Sequence, residues 1–220
     1  MLRRLRGQAG FTLIELLVAI VLLGIISVPL SNLVIQYFRN ETSATGRLSQ
    51  SHDAQITNAY WQQDVSSIGI RKPFDSGTNT FPFDQSVNVN FPCANAGYTR
   101  VITLGWDLTP PAANQTSQMF VEYATTTATE NGQSLLRLVR LSCTGVTTSS
   151  GTTYTAGPVA ILAHSLASAP STVCSGGIGS DCLQTGAGSS SIKLTINISD
   201  PSGKFSPITS SFIGQRRQST

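Results

Sequence analysis

The chain has 220 residues, of which 40% are hydrophobic and 11% are charged, and its 14 Lys and Arg stand against 11 Asp and Glu. Three of the basic residues, Arg3, Arg4 and Arg6, precede the first apolar run, and without them the chain has 11 residues of each sign. The basic excess therefore gives no support for nucleic-acid binding, and the length leaves room for one soluble domain that buries its own core.

The first predicted element is an apolar helix over residues 11–35, in which Glu15 is the only ionisable side chain. At about 1.5 Å of rise per residue, this helix exceeds the roughly 30 Å hydrocarbon core of a bilayer. The arginines before it predict a cytoplasmic N-terminus, with everything after the helix outside. We therefore expect a single-pass membrane protein of the inner or cytoplasmic membrane.

The helix begins differently from a secretory signal, whose small-residue cleavage site follows its apolar region. Here the small residue, Gly10, comes before the apolar region. Cleavage after Gly10 would leave the hydrophobic helix attached to the mature protein.

The run Gly10-Phe11-Thr12-Leu13-Ile14-Glu15 resembles the prepilin peptidase motif of type IV pilins and type II secretion pseudopilins. The resemblance implies a leader peptide over residues 1–10, cleavage between Gly10 and Phe11, and N-methylation of Phe11. Prepilin peptidase and other pilin or pseudopilin subunits are then the expected partners.

Glu15 has a physical problem that does not depend on the family. A carboxylate in the hydrocarbon costs several kcal/mol, about 2.5–3.5 for Asp at the helix centre, so it should be neutralised or paired. The resemblance implies that the partner is the N-terminal amine of a neighbouring subunit, which would make Glu15 an assembly residue. The alternative is a plain anchor whose Glu15 lies near the wet interface.

The helix is predicted to continue to about Ser67, because few breakers follow the apolar run. We expect a membrane-spanning, filament-core half over 11–35 and an amphipathic half over 36–68 that packs on the globular domain. Pro29 lacks an amide donor, so it should kink the helix or melt a short stretch. Gly69 is the expected stop.

The remaining residues, 69–220, are predicted to form an extracytoplasmic β-rich domain. Strands are expected over 87–91 (irregular), 100–106, 119–124, 135–142, 158–163, 191–199 and 208–213. The dipeptide Asn131-Gly132 predicts a hairpin. Loops are expected over 144–157 and 165–191. The predicted fold class is α+β, with a long N-terminal helix on an antiparallel sheet.

Four cysteines, Cys93, Cys143, Cys174 and Cys182, lie in the exported part, where an oxidising compartment favours disulfides. They permit three pairings. The favoured pairing joins Cys93 to Cys143 and Cys174 to Cys182. Zinc is the competing interpretation, but there is no CxxC pair and His52 and His164 are far apart, so no metal or other cofactor is expected.

Catalysis is not expected. The separated acids Asp64, Asp107 and Asp200 have ordinary explanations: helix-end solvation, turn chemistry and a hairpin loop. His52 is expected at the surface of the helix and His164 at a strand edge. No nucleophile elbow or phosphate-binding glycine loop is present.

DNA or surface binding is an alternative that the sequence leaves open without favouring it. The basic residues that could cluster are Arg71, Lys72, Arg137, Arg140, Lys193, Lys204, Arg216 and Arg217. Scattered solubilising charge is the simpler explanation, since only 71–72 and 216–217 are adjacent pairs.

The order of motifs after residue 100 is similar to that of J-class minor pseudopilins and W-class minor pilins: Trp106, Val121-Glu122-Tyr123, Gly132, Leu135-Leu136-Arg137, Ile161-Leu162-Ala163, an alternating strand, an Asp-Pro-Ser-Gly turn and Arg216-Arg217. The resemblance implies a minor subunit of a type IV pilus-like or type II secretion filament that helps to start or cap assembly. The alternatives are a main filament subunit, a filament-borne binding module for DNA or surfaces, and a plain anchored domain.

Overall fold

The computed structural model describes residues 12–68, 87–108, 116–130, 132–148, 150–174, 191–200 and 205–215. The chain divides into two compact units, Met1–Thr45 and Gly46–Thr220. One helix, α1 (Leu13–Ser67), contributes residues to both units. Its end agrees with the predicted one, and α1 is assigned as helix without interruption through Pro29, so no melted stretch accompanies that proline.

The second unit contains a seven-stranded antiparallel sheet. Its strands are β1 (Thr99–Asp107), β2 (Thr116–Glu130), β3 (Gln133–Thr148), β4 (Gly151–Ala156), β5 (Ala160–Cys174), β6 (Ser191–Ile198) and β7 (Ile208–Gln215). The order across the sheet is β1-β2-β3-β5-β6-β7, and β4 pairs with β3. The α+β architecture predicted from the sequence is confirmed.

Local sequence explains the hairpin and the last two strands. Glu130 pairs with Gln133 across a two-residue turn, and Gly132 there has a φ of 76°, which glycine adopts without strain. In β6 the alternating residues Ile192, Leu194, Ile196 and Ile198 are buried, as their period of two predicts.

Two predicted loops are strands. Residues 144–157 belong mostly to the end of β3 and to β4, and residues 165–174 belong to β5, whereas 175–190 lie outside the described residues. These stretches are rich in Ser and Thr, and their hydrogen bonds come from neighbouring strands, so composition alone gave the wrong state. Within 87–91, the assigned β structure is a single bridge from Val87 to Leu104.

The core of the second unit lies between the C-terminal half of α1 and one face of the sheet. The helix contributes Trp61, Val65 and Ile68, and the Trp61 and Tyr123 rings meet edge to face with centroids 5.0 Å apart. β7 approaches closely, because a Cβ on Gly214 would lie 2.5 Å from the Val65 side chain. Glycine at 214 therefore permits this contact.

The other face of the sheet has a smaller buried cluster, formed by Ala124, Val139 and Leu141. It is covered by a segment that precedes β1, residues 87–98, which we call the strap. Phe91 and Tyr98 of the strap pack against the cluster. Both faces of the sheet at β2 and β3 are thus covered.

Candidate functional site

The expected processing site immediately precedes the first described residue of the chain. Gly10 and Phe11 lie outside the described residues, and Thr12 is the first residue that the structure describes. Thr12 directly precedes α1, so the predicted cleavage site lies just before the helix. Cleavage and methylation at these residues stay predictions.

Glu15 lies in the first turn of α1, where it bonds back to Thr12. The Thr12 amide and hydroxyl donate to Glu15 Oε2 at 3.4 and 3.3 Å, and the Glu15 amide donates to the Thr12 carbonyl at 3.1 Å. This is half of a capping box, in which an acid at the third helical position satisfies the amide of the N-cap residue. The carboxylate also lies at the positive end of the helix dipole.

The helix that follows has an apolar surface on all sides. Its most apolar 18-residue window has a mean hydropathy of 2.7 and is unburied in this chain, so α1 is long and apolar enough to cross a membrane. Two hydroxyls near Pro29 are satisfied within the helix, because Ser27 donates to the Leu23 carbonyl at 2.6 Å and Ser31 to the Ser27 carbonyl at 2.9 Å. Such bonds suit a medium that offers no other partners.

Residues 5–31 match a family model described as the prokaryotic N-terminal methylation motif. No curated protein and no solved structure matches the chain. The motif and the α+β architecture, a long apolar N-terminal helix with an antiparallel sheet, support a type IV pilin-like chain that a prepilin peptidase processes. They also fit a single-pass membrane anchor.

Within the second unit, a buried ion pair joins α1 to β3. Arg140 donates from Nε and Nη2 to the two oxygens of Asp64, at 2.7 and 2.8 Å. The Tyr123 hydroxyl donates to Asp64 at 2.7 Å, and the guanidinium lies 5.1 Å from the centre of the Tyr60 ring. Asp64 was expected to be solvated at the helix end, and that expectation is wrong: its side chain is 1% exposed.

Burial and the Asp64 carboxylate shift the pKa values of Tyr123 and Arg140. Burial is the main reason that the pKa of Tyr123 lies well above its usual value, and the Asp64 carboxylate adds to the rise. Burial by itself would lower the pKa of Arg140, but the hydrogen bonds and negative charge of Asp64 outweigh it and raise that pKa. Around neutral pH, Tyr123 is therefore a neutral donor and Arg140 a cation.

Three more buried side chains of α1 donate to backbone carbonyls of the sheet. Gln50 Nε2 bonds to Ile198 at 3.3 Å, Thr57 Oγ1 to Leu162 at 3.2 Å and Trp61 Nε1 to Ile192 at 3.1 Å. These bonds fix the position of the helix along the strands as well as its distance from them.

Asp53 makes a further connection, to β5. It accepts from the His164 amide at 2.9 Å, and its other oxygen lies 3.0 Å from His164 Nδ1. His164 is satisfied by Asp53 and half-exposed, but it lies within β5, between β3 and β6, rather than at a strand edge as expected. His52 is exposed, as predicted.

Sequence reasoning missed this polar contact face, although a signal for it exists. The face consists of Gln50, Asp53, Thr57, Trp61 and Asp64. These residues follow one another at three or four positions, the spacing of one helix face. A search for apolar periodicity passes over them because four of the five are polar.

The strap is held by a covalent bond and by a buried acid. Cys93 and Cys143 form a disulfide with their Cα atoms 5.9 Å apart, the pairing expected from the sequence. Asn95 donates to Glu122 at 3.0 Å, and Thr103 donates to the other oxygen of that carboxylate at 3.3 Å. Cys174 is also disulfide-bonded, and its predicted partner, Cys182, lies outside the described residues.

Three of the basic residues considered for DNA binding are described: Arg137 and Arg140 on β3 and Lys193 on β6. Arg140 is committed to Asp64, and Lys193 is exposed on β6. Arg71, Lys72, Lys204, Arg216 and Arg217 lie outside the described residues. Of the three separated acids, Asp200 follows β6 and is buried rather than solvated in a loop. The side chain of Asp107 is not among those that the structure describes.

Proposed function

We propose that the chain is a minor subunit of a type IV pilus-like or type II secretion filament. In this proposal a prepilin peptidase cleaves after Gly10 and methylates Phe11, and the subunit then leaves the membrane to join the filament. The observation that carries the proposal is the motif at residues 5–31, followed by an all-round apolar helix with an acid in its first turn.

The proposed role of Glu15 is to form an ion pair with the N-terminal amine of a neighbouring subunit, from which its carboxylate accepts a hydrogen bond. In the described chain its carboxylate accepts only weak, long bonds from Thr12. A charged amine at hydrogen-bond distance is a stronger donor, because bonds between charged groups are about twice as strong as neutral ones. Exchange of the Thr12 bonds for an amine would favour assembly over the isolated subunit.

The domain carries features that suit export. The Cys93–Cys143 disulfide supports an oxidising, extracytoplasmic location, since such bonds persist poorly in the cytosol. We therefore infer a cytoplasmic N-terminus and an extracytoplasmic second unit, the orientation that the N-terminal arginines predict.

The proposed work of the second unit is to contact other subunits and to help start or cap the filament. A main filament subunit is the second candidate, and abundance separates the two, because a main subunit dominates sheared filaments. DNA binding gains no support from Arg140, whose charge is already paired with Asp64.

The first test is intact mass and N-terminal analysis of the protein recovered from membranes and from sheared filaments. A methylated Phe11 in the filament fraction at low abundance is the expected result. An unprocessed Met1 confined to membranes, in cells with a working peptidase, would overturn the proposal and leave an anchored domain.

A further inference from the structure

The two terminal strands of the sheet differ in how their outer edges are treated. At β1 the register shifts between Arg100 and Ile102, the Asn88 amide donates to the Thr103 carbonyl at 2.6 Å, and Val87 bridges to Leu104. Thus the chain itself covers part of that edge. At the opposite end, β7 pairs with β6, and no strand of the described ranges pairs with its outer side.

The ladder between β5 and β6 tells which backbone groups of β7 face outward. The Ser199 amide donates to the Ser165 carbonyl, next to the Leu166–Ile198 pair. In an antiparallel ladder, two opposite residues either bond to each other or are flanked by neighbours that bond to each other. Since Ser165 and Ser199 flank the Leu166–Ile198 pair and are bonded, Leu166 and Ile198 are not bonded to each other. The backbone groups of Ile198 therefore point away from β5, toward β7.

The β6–β7 register is regular, so this alternation continues along both strands. The residues of β7 that bond to β6 are Ile208, Ser210, Phe212 and Gly214, opposite Ile198, Ile196, Leu194 and Ile192. The N–H and C=O groups of Thr209, Ser211 and Ile213 then point to the open edge. A bond from Gln62 Nε2 to the Ile213 carbonyl, at 2.5 Å, agrees with this direction.

β7 lacks the features that usually protect an exposed edge. Proteins blunt such edges with charges, prolines, bulges or very short strands. β7 has eight residues and contains neither a charged residue nor a proline. It pairs with β6 without a register shift or bulge. The Gln62 side chain covers one of its outward carbonyls, and Ile208 and Ile213 are 45% and 52% exposed.

We propose that the outer edge of β7 binds an extended, uncharged segment of a neighbouring filament subunit by strand addition. The inference rests on the proposed function, because the filament supplies the neighbour. The added strand bonds to the backbone of Thr209, Ser211 and Ile213, whose outward groups repeat every two residues, as an extended partner requires. The small side chains of Thr209 and Ser211 leave room beside it, and Gln62 yields its carbonyl to the new strand.

Hydrogen exchange at single-residue resolution tests the proposal on the full chain. In detergent solution the amides of Thr209, Ser211 and Ile213 should exchange fast and those of Ser210, Phe212 and Gly214 slowly. In purified filaments the first set should slow by at least about tenfold, since each amide gains a backbone partner. Unchanged rates would overturn the proposal. Slow exchange of both sets already in detergent would also overturn it, because a second copy or another part of this chain would then occupy the edge.

A matched pair of variants provides the functional readout. Ser211→Pro removes an outward N–H and places the ring in the path of an added strand, while the backbone β6–β7 bonds are kept. Both this variant and Ser211→Ala lose the bond between the Ser211 and Thr195 hydroxyls, at 3.1 Å, so the two are matched in that respect. Ser211→Ala keeps the N–H. We expect Ser211→Pro to reduce incorporation into filaments at least about tenfold relative to Ser211→Ala, with both unfolding at similar denaturant concentrations.

The outcomes separate this proposal from the proposed function. Wild-type chain that is absent from filaments overturns both. Wild-type chain that is present in filaments, together with equal incorporation of Ser211→Pro and Ser211→Ala, overturns strand addition alone. A Ser211→Pro chain that unfolds early is replaced by Thr209→Pro, which blocks the next outward amide.

Discussion

The two halves of α1 reverse the usual relation between polarity and burial. In the first unit, from Leu13 to about Phe38, the large apolar side chains of the helix are exposed. In the second unit the same helix buries Gln50, Asp53, Thr57 and Asp64 against the sheet. Exposed apolar surface marks a place for lipid or another subunit. Buried polar groups persist because each has a hydrogen-bond partner in the sheet.

The largest effect is expected from removal of the buried acid, Asp64. Asp64→Ala leaves the guanidinium of Arg140 and the hydroxyl of Tyr123 without their shared acceptor. Breaking a buried pair from one side costs about 3–5 kcal/mol, and we expect that loss in the free energy of unfolding. Urea denaturation of the detergent-solubilised chain, followed by tryptophan fluorescence, measures it.

The control for this change is Gln63→Ala, at the exposed neighbouring position, which should cost less than about 0.5 kcal/mol. A loss below about 1 kcal/mol for Asp64→Ala would place the pair among ordinary surface ion pairs and contradict our account.

The second prediction concerns the one acid of the apolar half. Glu15→Ala should leave cleavage after Gly10 intact but reduce incorporation into filaments about tenfold or more. A bond between charged groups contributes about 1.5–3 kcal/mol, and 1.4 kcal/mol is a factor of ten. Quantification of the chain in sheared filaments and in membranes gives the ratio. The matched variant Glu41→Ala changes an exposed acid of the same unit and should assemble normally; equal behaviour of the two variants would refute the role of Glu15.

The third prediction uses the raised pKa of Tyr123. Above about pH 10 the unfolded chain loses this proton while the folded chain keeps it, so the free energy of unfolding falls as the pH rises. The slope approaches about 1.4 kcal/mol per pH unit. Below the unfolded pKa the stabilisation is fully present. Unfolding at pH 9 and pH 11 should show a larger drop for the wild type than for Tyr123→Phe, and equal drops would count against the buried cluster.

The smallest effect is expected for the loss of a single helix hydroxyl, and one hydroxyl from each unit is compared. Thr57 bonds to the Leu162 carbonyl of the sheet, whereas Thr45 bonds to the Glu41 carbonyl of its own helix. Thr57→Val should cost about 1 kcal/mol of unfolding free energy, since a net hydrogen bond is lost at constant shape. Thr45→Val should be near neutral. Reversal of this order, by the same urea titration, would show that the polar contact face contributes nothing specific.

Helices, strands and turns were predicted correctly from the sequence where hydrophobic periodicity or turn residues indicated them. The end of α1 at Ser67, the hairpin at Gly132 and the alternation of β6 follow from periodicity and turn chemistry. The same reasoning assigned loops to parts of β3, β4 and β5, because Ser and Thr have little preference of their own and depend on strand partners.

The sequence also predicted the disulfide between Cys93 and Cys143, but it gave no reason to place Asn95 beside Glu122. That contact needs the strap to lie across the second face of the sheet. It depends on which residues share a face after folding, and spacing along the chain does not contain that information.

By itself the sequence determined the apolar N-terminal helix, the acid within it and the motif that precedes it, because these depend on neighbouring residues along one helix. Only the tertiary structure decided that Asp64 pairs with Arg140, that Glu122 is buried and that no strand of the described ranges pairs with the outer edge of β7. The physical reason is distance along the chain. Helix periodicity depends on residues a few positions apart. These three features depend on residues that are distant in the sequence and that only the folded sheet brings together.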